Sequence, residues 1–359
     1  MKKTLVAVAA MAAVTGAMAD ATIYGAIDQT YNTAKTTVGG VVTNSKTGFG
    51  AYQDGQSLLG VKGSEDLGNG MKASYLYEFG LQTETTAAPT NRQSFVGLSG
   101  GFGSIRIGKQ YSQAFNNSAA ADPGGATGAP GALYLIAMTG YDGTEHPLRQ
   151  DRGIQYDLPS FVPGMNITLT KVLGNVNSAA TNSTSNTETN GVKTGDGTGF
   201  AISYASGPFY AGYTTDSVNN TAINAGTTDD VTPLANTVVA ASSTSKNKIN
   251  TTTLTYDLGM AKVSYNTGKM SIAGQALSST MFGVTVPMGA ISLIASSSTG
   301  KLDTTSTDLT LKGSQYGVNY AMSKRTTAYW HTGTTTINTV GSTVQKKVNG
   351  YGLGLLHNF

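Results

Sequence analysis

The side chains able to carry covalent or metal chemistry are few in this 359-residue chain and poorly spaced for it. Cysteine is absent, which excludes a thiol nucleophile, a cysteine-ligated zinc site and a disulfide framework. The three histidines, His146, His331 and His357, lie far apart. None falls in a motif pairing an imidazole with a serine and a carboxylate, and their spacing suits no metal. Gly350-Tyr-Gly-Leu-Gly354 is part of a dinucleotide fingerprint, but it lies in a strand-like segment with no helix after it, and phosphate binding needs that helix. No catalytic residue, metal or cofactor is expected. What remains is the chemistry of fixed charge, in which arginines, lysines and carboxylates set a local field.

The elements that must position those charges are strands. Only 12% of the residues are charged, about half the usual share. Polarity comes instead from Thr, Ser, Asn and 46 glycines, which favour strands, turns and loops over helices. Disorder does not fit 18 tyrosines and 10 phenylalanines. Residues 1–19 read as a signal peptide: a cationic Met1-Lys2-Lys3, an apolar run from Thr4 to Gly16, and the small-x-small signal Ala17-Met18-Ala19. Export is therefore expected, with Asp20 as the first mature residue. Without Lys2 and Lys3 the basic excess shrinks to about one charge, which gives nucleic acid no footing. After residue 19 no apolar stretch approaches the roughly eighteen residues of a membrane-spanning helix.

Periodicity of two runs through the chain. At the C-terminus Tyr351, Leu353, Leu355, His357 and Phe359 share one parity, and Gly352, Gly354, Leu356 and Asn358 the other. Ala73, Tyr75, Tyr77, Phe79 and Leu81 alternate against Lys72, Ser74, Glu78 and Gln82. Ile23, Ile27 and Tyr31 alternate against Tyr24, Asp28 and Thr30, and Ile105 and Ile107 against Arg106 and Gln110. Lipid on one side and a lumen on the other would produce this pattern. A soluble sandwich strand alternates too, so repetition and connectors decide. Short connectors (Glu65 to Gly70, Gly100 to Gly103, Ser206 to Pro208, Leu258 to Met260) alternate with long polar ones (Thr33 to Gly55, Ser112 to Leu148, Gly174 to Gly197, Asp216 to Lys248). That alternation belongs to a membrane barrel, predicted here with about sixteen strands in one domain. A closed barrel bonds every backbone group and leaves no edge, and at that size it encloses water.

Several stretches carry a family resemblance: Ala21-Thr-Ile-Tyr-Gly25, Gly60-Val-Lys-Gly-Ser-Glu-Asp-Leu-Gly68, Asn91-Arg-Gln-Ser-Phe-Val-Gly-Leu-Ser99, Gly103-Ser-Ile-Arg-Ile-Gly-Lys-Gln110, Arg149 to Pro159, and Gly354-Leu-Leu-His-Asn-Phe359. In this order they span residues 20–359, and the chain resembles the general trimeric porins of Gram-negative outer membranes, in particular the Neisseria- and Burkholderia-like group. The resemblance implies an outer-membrane, all-β transmembrane barrel of sixteen antiparallel strands. It implies a homotrimer through which ions and small hydrophilic solutes diffuse passively. It also implies that the third long loop, here 112–148, folds into the lumen as an eyelet. Acidic Asp122, Asp142 and Glu145 on that loop would face basic residues on the wall, and its apolar run Ala132 to Met138 would pack on that wall. The wall residues carried over are Arg92 and Arg149, and Arg106 joins them by its alternation against Ile105 and Ile107. Lys109 replaces a family arginine on the outward parity where the third loop departs, and Lys62 and Glu78 are further lumen candidates. Leu58 and Gln155 stand where arginines occur in the family, which weakens the expected anion preference.

The resemblance implies, besides, that terminal Phe359 is read by the barrel-assembly machinery, and that the outer wall meets membrane lipid and lipopolysaccharide. Trp330 is expected as an aromatic-belt anchor and His357 as an interface residue. Two other function classes compete: an enzyme, which lacks a catalytic constellation, and a structural or adhesive surface protein, either a soluble β-sandwich, against which Phe359 and the lipid-type parity argue, or a barrel whose long loops bind a partner.

Overall fold

The computed structural model describes residues 21–49, 57–81, 83, 88–124, 149–174, 196–219, 246–272, 275–303 and 308–359. Among them the chain forms seventeen strands: β1 (Thr22–Val38), β2 (Val41–Phe49), β3 (Leu58–Gly68), β4 (Met71–Gly80), β5 (Thr90–Gly100), β6 (Gly103–Tyr111), β7 (Arg149–Asp157), β8 (Met165–Val172), β9 (Gly197–Ser206), β10 (Phe209–Asn219), β11 (Lys246–Asp257), β12 (Lys262–Ile272), β13 (Gln275–Met288), β14 (Ile291–Asp303), β15 (Leu309–Ala321), β16 (Thr326–Thr339) and β17 (Gln345–Asn358). A short helix, α1 (Gln113–Ala119), follows β6.

From β3 onward each strand pairs antiparallel with the next. The ring closes where β1 meets β17, from Ala26 opposite Asn358 to Val38 opposite Lys346. On its other edge β1 pairs twice, through Tyr31–Val38 with β2 and through Thr22–Ala26 with β3. β2 and β3 thus share one stave, and the closed wall has sixteen. Here the stretch expected as a polar loop, 33–55, contains a strand. Gly39-Gly40, with φ of 57° and 85°, makes the tight hairpin turn that returns the chain along β1. The turn expected at Glu65 to Gly70 narrows to Asn69-Gly70, because β3 continues to Gly68.

Alternation sorts the side chains as the pattern requires. On β1, Ile23, Ile27 and Tyr31 are exposed outward, while Asp28, Thr30 and Asn32 are buried inward. On β4, Tyr77 and Phe79 are exposed and Glu78 is buried. On β17, Tyr351, Leu353 and Leu355 face out over an inward row of glycines, and Phe359, just past its end, is exposed on the same side. No helix among the described residues is long and apolar enough to cross a membrane; the strands do the spanning.

One stretch of the interior departs from a purely polar lumen. Ile249, Met270, Leu277, Leu302, Leu309, Leu311 and Ile337 point inward near the long-loop ends of β11–β16, and they form an apolar cluster with Ala114 and Phe115 of α1. A helix laid on the inner face needs such a bed, since its own apolar stripe must be buried. The core of this barrel therefore lies inside the wall, where α1 touches it.

Candidate functional site

The basic residues come together on the inner face of β3–β7, and a bulge decides the position of one of them. On β5, Val96 and Leu98 face outward, so plain alternation would turn Arg92 outward as well. Between Glu78 opposite Gln93 and Phe79 opposite Asn91 the register skips Arg92. That extra residue re-aims its side chain into the lumen. There Arg92 Nε donates to Glu78 Oε1 at 2.8 Å and Nη2 to the Tyr111 hydroxyl at 2.7 Å. Glu78 Oε2 accepts from the Tyr24 hydroxyl at 2.9 Å, and the Lys62 ammonium stands 5.0 Å over the Tyr24 ring. Arg149 stacks its guanidinium 5.0 Å over the Tyr111 ring, with Nη2 donating to the same hydroxyl at 3.4 Å. Lys62, Glu78, Arg92 and Arg149 thus form one network, threaded by two tyrosines.

Arg106 belongs to a second group just along the wall. Its Nη2 donates to Asp157 Oδ2 at 2.9 Å and to Gln155 Oε1 at 3.2 Å. Gln155 Nε2 donates in turn to the Tyr111 carbonyl at 2.8 Å and to Gln150 Oε1 at 3.2 Å. Lys109 is not part of either group. It keeps the outward parity of Ile105 and Ile107, lies opposite Ser94, and pairs with Asp151 at 3.0 Å. The bulge at Gly108–Gln110 sits beside it. Gly108 adopts φ 137°, and a β-carbon there would collide with the Ser94 carbonyl.

From Tyr111 the chain leaves the wall and follows the interior. Ser112 caps α1, its Oγ accepting from Phe115 N at 3.0 Å, and Phe115 stacks on Tyr111 with centroids 4.8 Å apart. Gln113 Nε2 donates to Gln155 Oε1 at 3.0 Å. On the far side Asn117 Oδ1 accepts from Tyr210 at 2.5 Å, seated so close over Gly212 that any β-carbon would strike it. Asn266 Nδ2 donates to Ser118 Oγ at 3.2 Å and Lys262 Nζ to the Ala120 carbonyl at 3.3 Å. Pro123 lies against Gly283 and Gly124 against Gln315. Residues 112–124 therefore run around the inner wall from β6 to β15. Asp142, Glu145, His146 and the run Ala132 to Met138 lie outside the described residues.

Beyond Gly124 a cavity of ≈ 410 Å³ opens on the inner wall, bounded by Asp28, Ser292, Asn319, Tyr329, His331 and Pro123. Tyr329 donates to Asp28 Oδ1 at 2.6 Å and shares a short hydrogen bond with Thr30. His331 Nε2 pairs with Asn319 Oδ1 at 2.9 Å, and His357 Nδ1 pairs with Thr326 Oγ1 at 2.9 Å on the outer side. Phe359 donates its N–H to the Gly25 carbonyl at 3.0 Å and accepts from Gly25 N at 3.1 Å, sealing the last strand to the first.

Tyr24, Tyr111, Asp157 and Lys262 have no place in the sequence-based site. The inward parity of Tyr24 was legible, but its hydrogen bond to a residue 54 positions away was not. For α1 a signal was present: a serine followed by buried Ala114, Asn117 and Ser118 at helical spacing.

The comparisons agree with this architecture. Residues 7–339 match the family described as Gram-negative porin. The "Major outer membrane protein P.IB" of Neisseria gonorrhoeae is 40% identical over 168 residues, a stretch covering 45% of this chain and 45% of that relative. The chain is thus aligned with less than half the length of the curated relative. Among solved structures, the "Anion-selective porin from Comamonas acidovorans" superimposes with a TM-score of 0.75 over 95% of this chain and 100% of that one, at 19% identity. The trimer form of OmpT from Vibrio cholerae superimposes at 0.61 with 14% identity, covering 94% of this chain and 99% of that one. At such identities the superpositions speak for the fold alone. With the family matched over most of its length, this chain belongs to the Gram-negative porins.

Proposed function

We propose that the protein forms a water-filled channel for passive diffusion of ions and small hydrophilic solutes. The family and its major outer-membrane relatives place the chain in the outer membrane of a Gram-negative bacterium. The observation that carries the channel reading is the two-faced wall: sixteen closed staves, apolar outside, with buried or half-buried polar side chains inside. The same features favour a channel over an enzyme. Residues 112–124 narrow the interior, and the Arg92–Arg149 network and Arg106 set a positive field on the wall they leave. Low-dielectric walls focus such a field, and selectivity without tight binding follows from it. Asp142 and Glu145, with the rest of 112–148, would complete the constriction from the other side. A weak anion preference is the expected sign. A homotrimer is the expected assembly, Phe359 the signal to the barrel-assembly machinery, and residues 1–19 the removed leader. Purified protein added to a planar bilayer should give stepwise conductance; a bilayer that stays silent at saturating protein would favour the adhesin reading.

A further inference from the structure

The cavity beyond Gly124 lies on β13–β17 and β1, a stretch of wall separate from the arginine network of β3–β7. It opens near the short-turn end, where Gly289 and Ala290 of the β13–β14 turn bound it. The one carboxylate at its edge is Asp28, buried on the inward face of β1. The Tyr329 hydroxyl gives its proton to Asp28 Oδ1 at 2.6 Å, and Oδ2 has no donor among the described residues. No lysine or arginine bounds the cavity, and none among the described residues pairs with Asp28. The connection that borders the cavity at Pro123 and Gly124 supplies none either, because residues 113–148 contain no lysine or arginine.

A buried carboxylate without a cation is costly, because one hydrogen bond from a hydroxyl replaces little of the water it has lost. The wall beside it is also short of donors. His331 Nε2 meets Asn319 Oδ1 at 2.9 Å and must carry the ring proton, which leaves Nδ1 an acceptor with no partner among the described residues. Much of the remaining boundary is apolar, with Pro123, Pro287, Ile291 and Leu356. A volume of ≈ 410 Å³ is far more than a metal ion fills, and one carboxylate falls well short of the roughly six to eight oxygens that calcium takes. A carboxylate at the edge of an apolar pocket suits an ammonium group carried on a compact apolar body.

We infer that this cavity binds small primary ammonium solutes, with the charged end at Asp28 and the apolar end against Ile291 and Leu356. The inference rests on the water-filled channel proposed above, through which the solute must arrive. It gives the two stretches of wall opposite signs: β3–β7 attracts anions, while β1 with β13–β17 holds organic cations away from the arginines.

The test titrates purified protein in nonionic detergent with 4-fluorobenzylammonium, 4-fluorobenzyl alcohol and 4-fluorobenzoate, with binding read by fluorine NMR. Wild type should hold the ammonium probe and neither of the others. Asp28→Asn, which can still accept from Tyr329, should bind it about tenfold more weakly or worse. Asp28→Glu, which keeps the charge, should recover part of that loss. Ser292→Phe leaves the carboxylate in place but fills the cavity, and it should lose the probe as well. Heat-dependent mobility on a gel reports whether each variant is folded; should Asp28→Asn fail to fold, Ser292→Phe decides the matter. Equal binding of the ammonium and the alcohol, unchanged binding by a folded Asp28→Asn or Ser292→Phe, or displacement of the probe by equimolar potassium would each overturn the site. Wild-type conductance in planar bilayers separates the two readings. Protein that conducts without Asp28-dependent binding refutes the cavity site alone, and protein that holds the probe without conducting refutes the channel alone.

Discussion

Glu78 and Arg92 hold each other at 2.8 Å on the inner wall, so the field at that point depends on both. Replacing Arg92 with Gln leaves the Glu78 carboxylate uncompensated and should move the reversal potential under a salt gradient toward cations. Glu78→Gln removes the negative partner and should move it toward anions. The double variant should return close to wild type, because the pair contributes little net charge to the far field. If both single variants shift the potential in the same direction, the network does not face the permeation path. The direction of Glu78 was legible from Tyr77 and Phe79 on either side of it. That of Arg92 was not, because a bulge is a property of two strands in register and one strand's alternation does not contain it. Lys109 is the opposite case: it keeps the outward parity that the alternation of Ile105 and Ile107 already gives it, opposite Ser94. The lipid side of β5 offers a cleaner contrast. Val96, 62% exposed and outward, should tolerate Leu, whereas Arg there should cost about 2–4 kcal/mol if it lies near the membrane midplane. Folded yield of the two variants, read by heat-dependent mobility on a gel, checks this.

Strands were readable because each one repeats its own rule every two residues. The helix carried only a short signal, a capping serine before buried residues at helical spacing, and it opens a segment rich in Ala, Gly and Pro whose composition resembles a loop. Seven residues are too few to stand alone in water, so α1 exists because the wall supplies its partners: Tyr111 for Phe115, Tyr210 for Asn117 and Asn266 for Ser118. The apolar inner cluster of β11–β16 has the same origin, and inward Ile and Leu become intelligible only once α1 is laid on them. Two perturbations should separate capping from docking. Ser112→Ala removes the acceptor for Phe115 N and should weaken the first turn by about 1 kcal/mol. Amide exchange across 113–119 should then quicken about fivefold, with the conductance step unchanged. Gly212→Val places a side chain where Asn117 sits and should push α1 off β10, raising both exchange and conductance. A Gly212→Val channel with wild-type conductance would mean that α1 does not narrow the path.

Across the whole molecule, closure depends on the first and last strands, which are separated by nearly the entire sequence. Every other neighbour in the wall pairs with a strand close to it in the chain, so loop closure is least favourable at the β1–β17 seam. Until that seam forms, two strand edges stay open in a medium that cannot bond them. The sequence announced both ends of the seam, with Ile23, Ile27 and Tyr31 at the start and Leu353, Leu355 and Phe359 at the end. It did not show that Phe359 itself completes the ladder. The terminal residue makes two backbone hydrogen bonds with Gly25, at 3.0 Å and 3.1 Å, and its ring lies across the face of that glycine, where a β-carbon would not fit. Deleting Phe359 removes both bonds and puts a carboxylate on Asn358, one step deeper along the seam. The folded, heat-modifiable fraction should drop several-fold, while Phe359→Leu, which keeps the backbone bonds, should lose less. Gly25→Val should mimic the deletion by forcing the ring away, even with the terminal residue intact. Should the deletion fold as well as wild type while Gly25→Val does not, the seam would owe its closure to the space at Gly25 and the last residue would be dispensable.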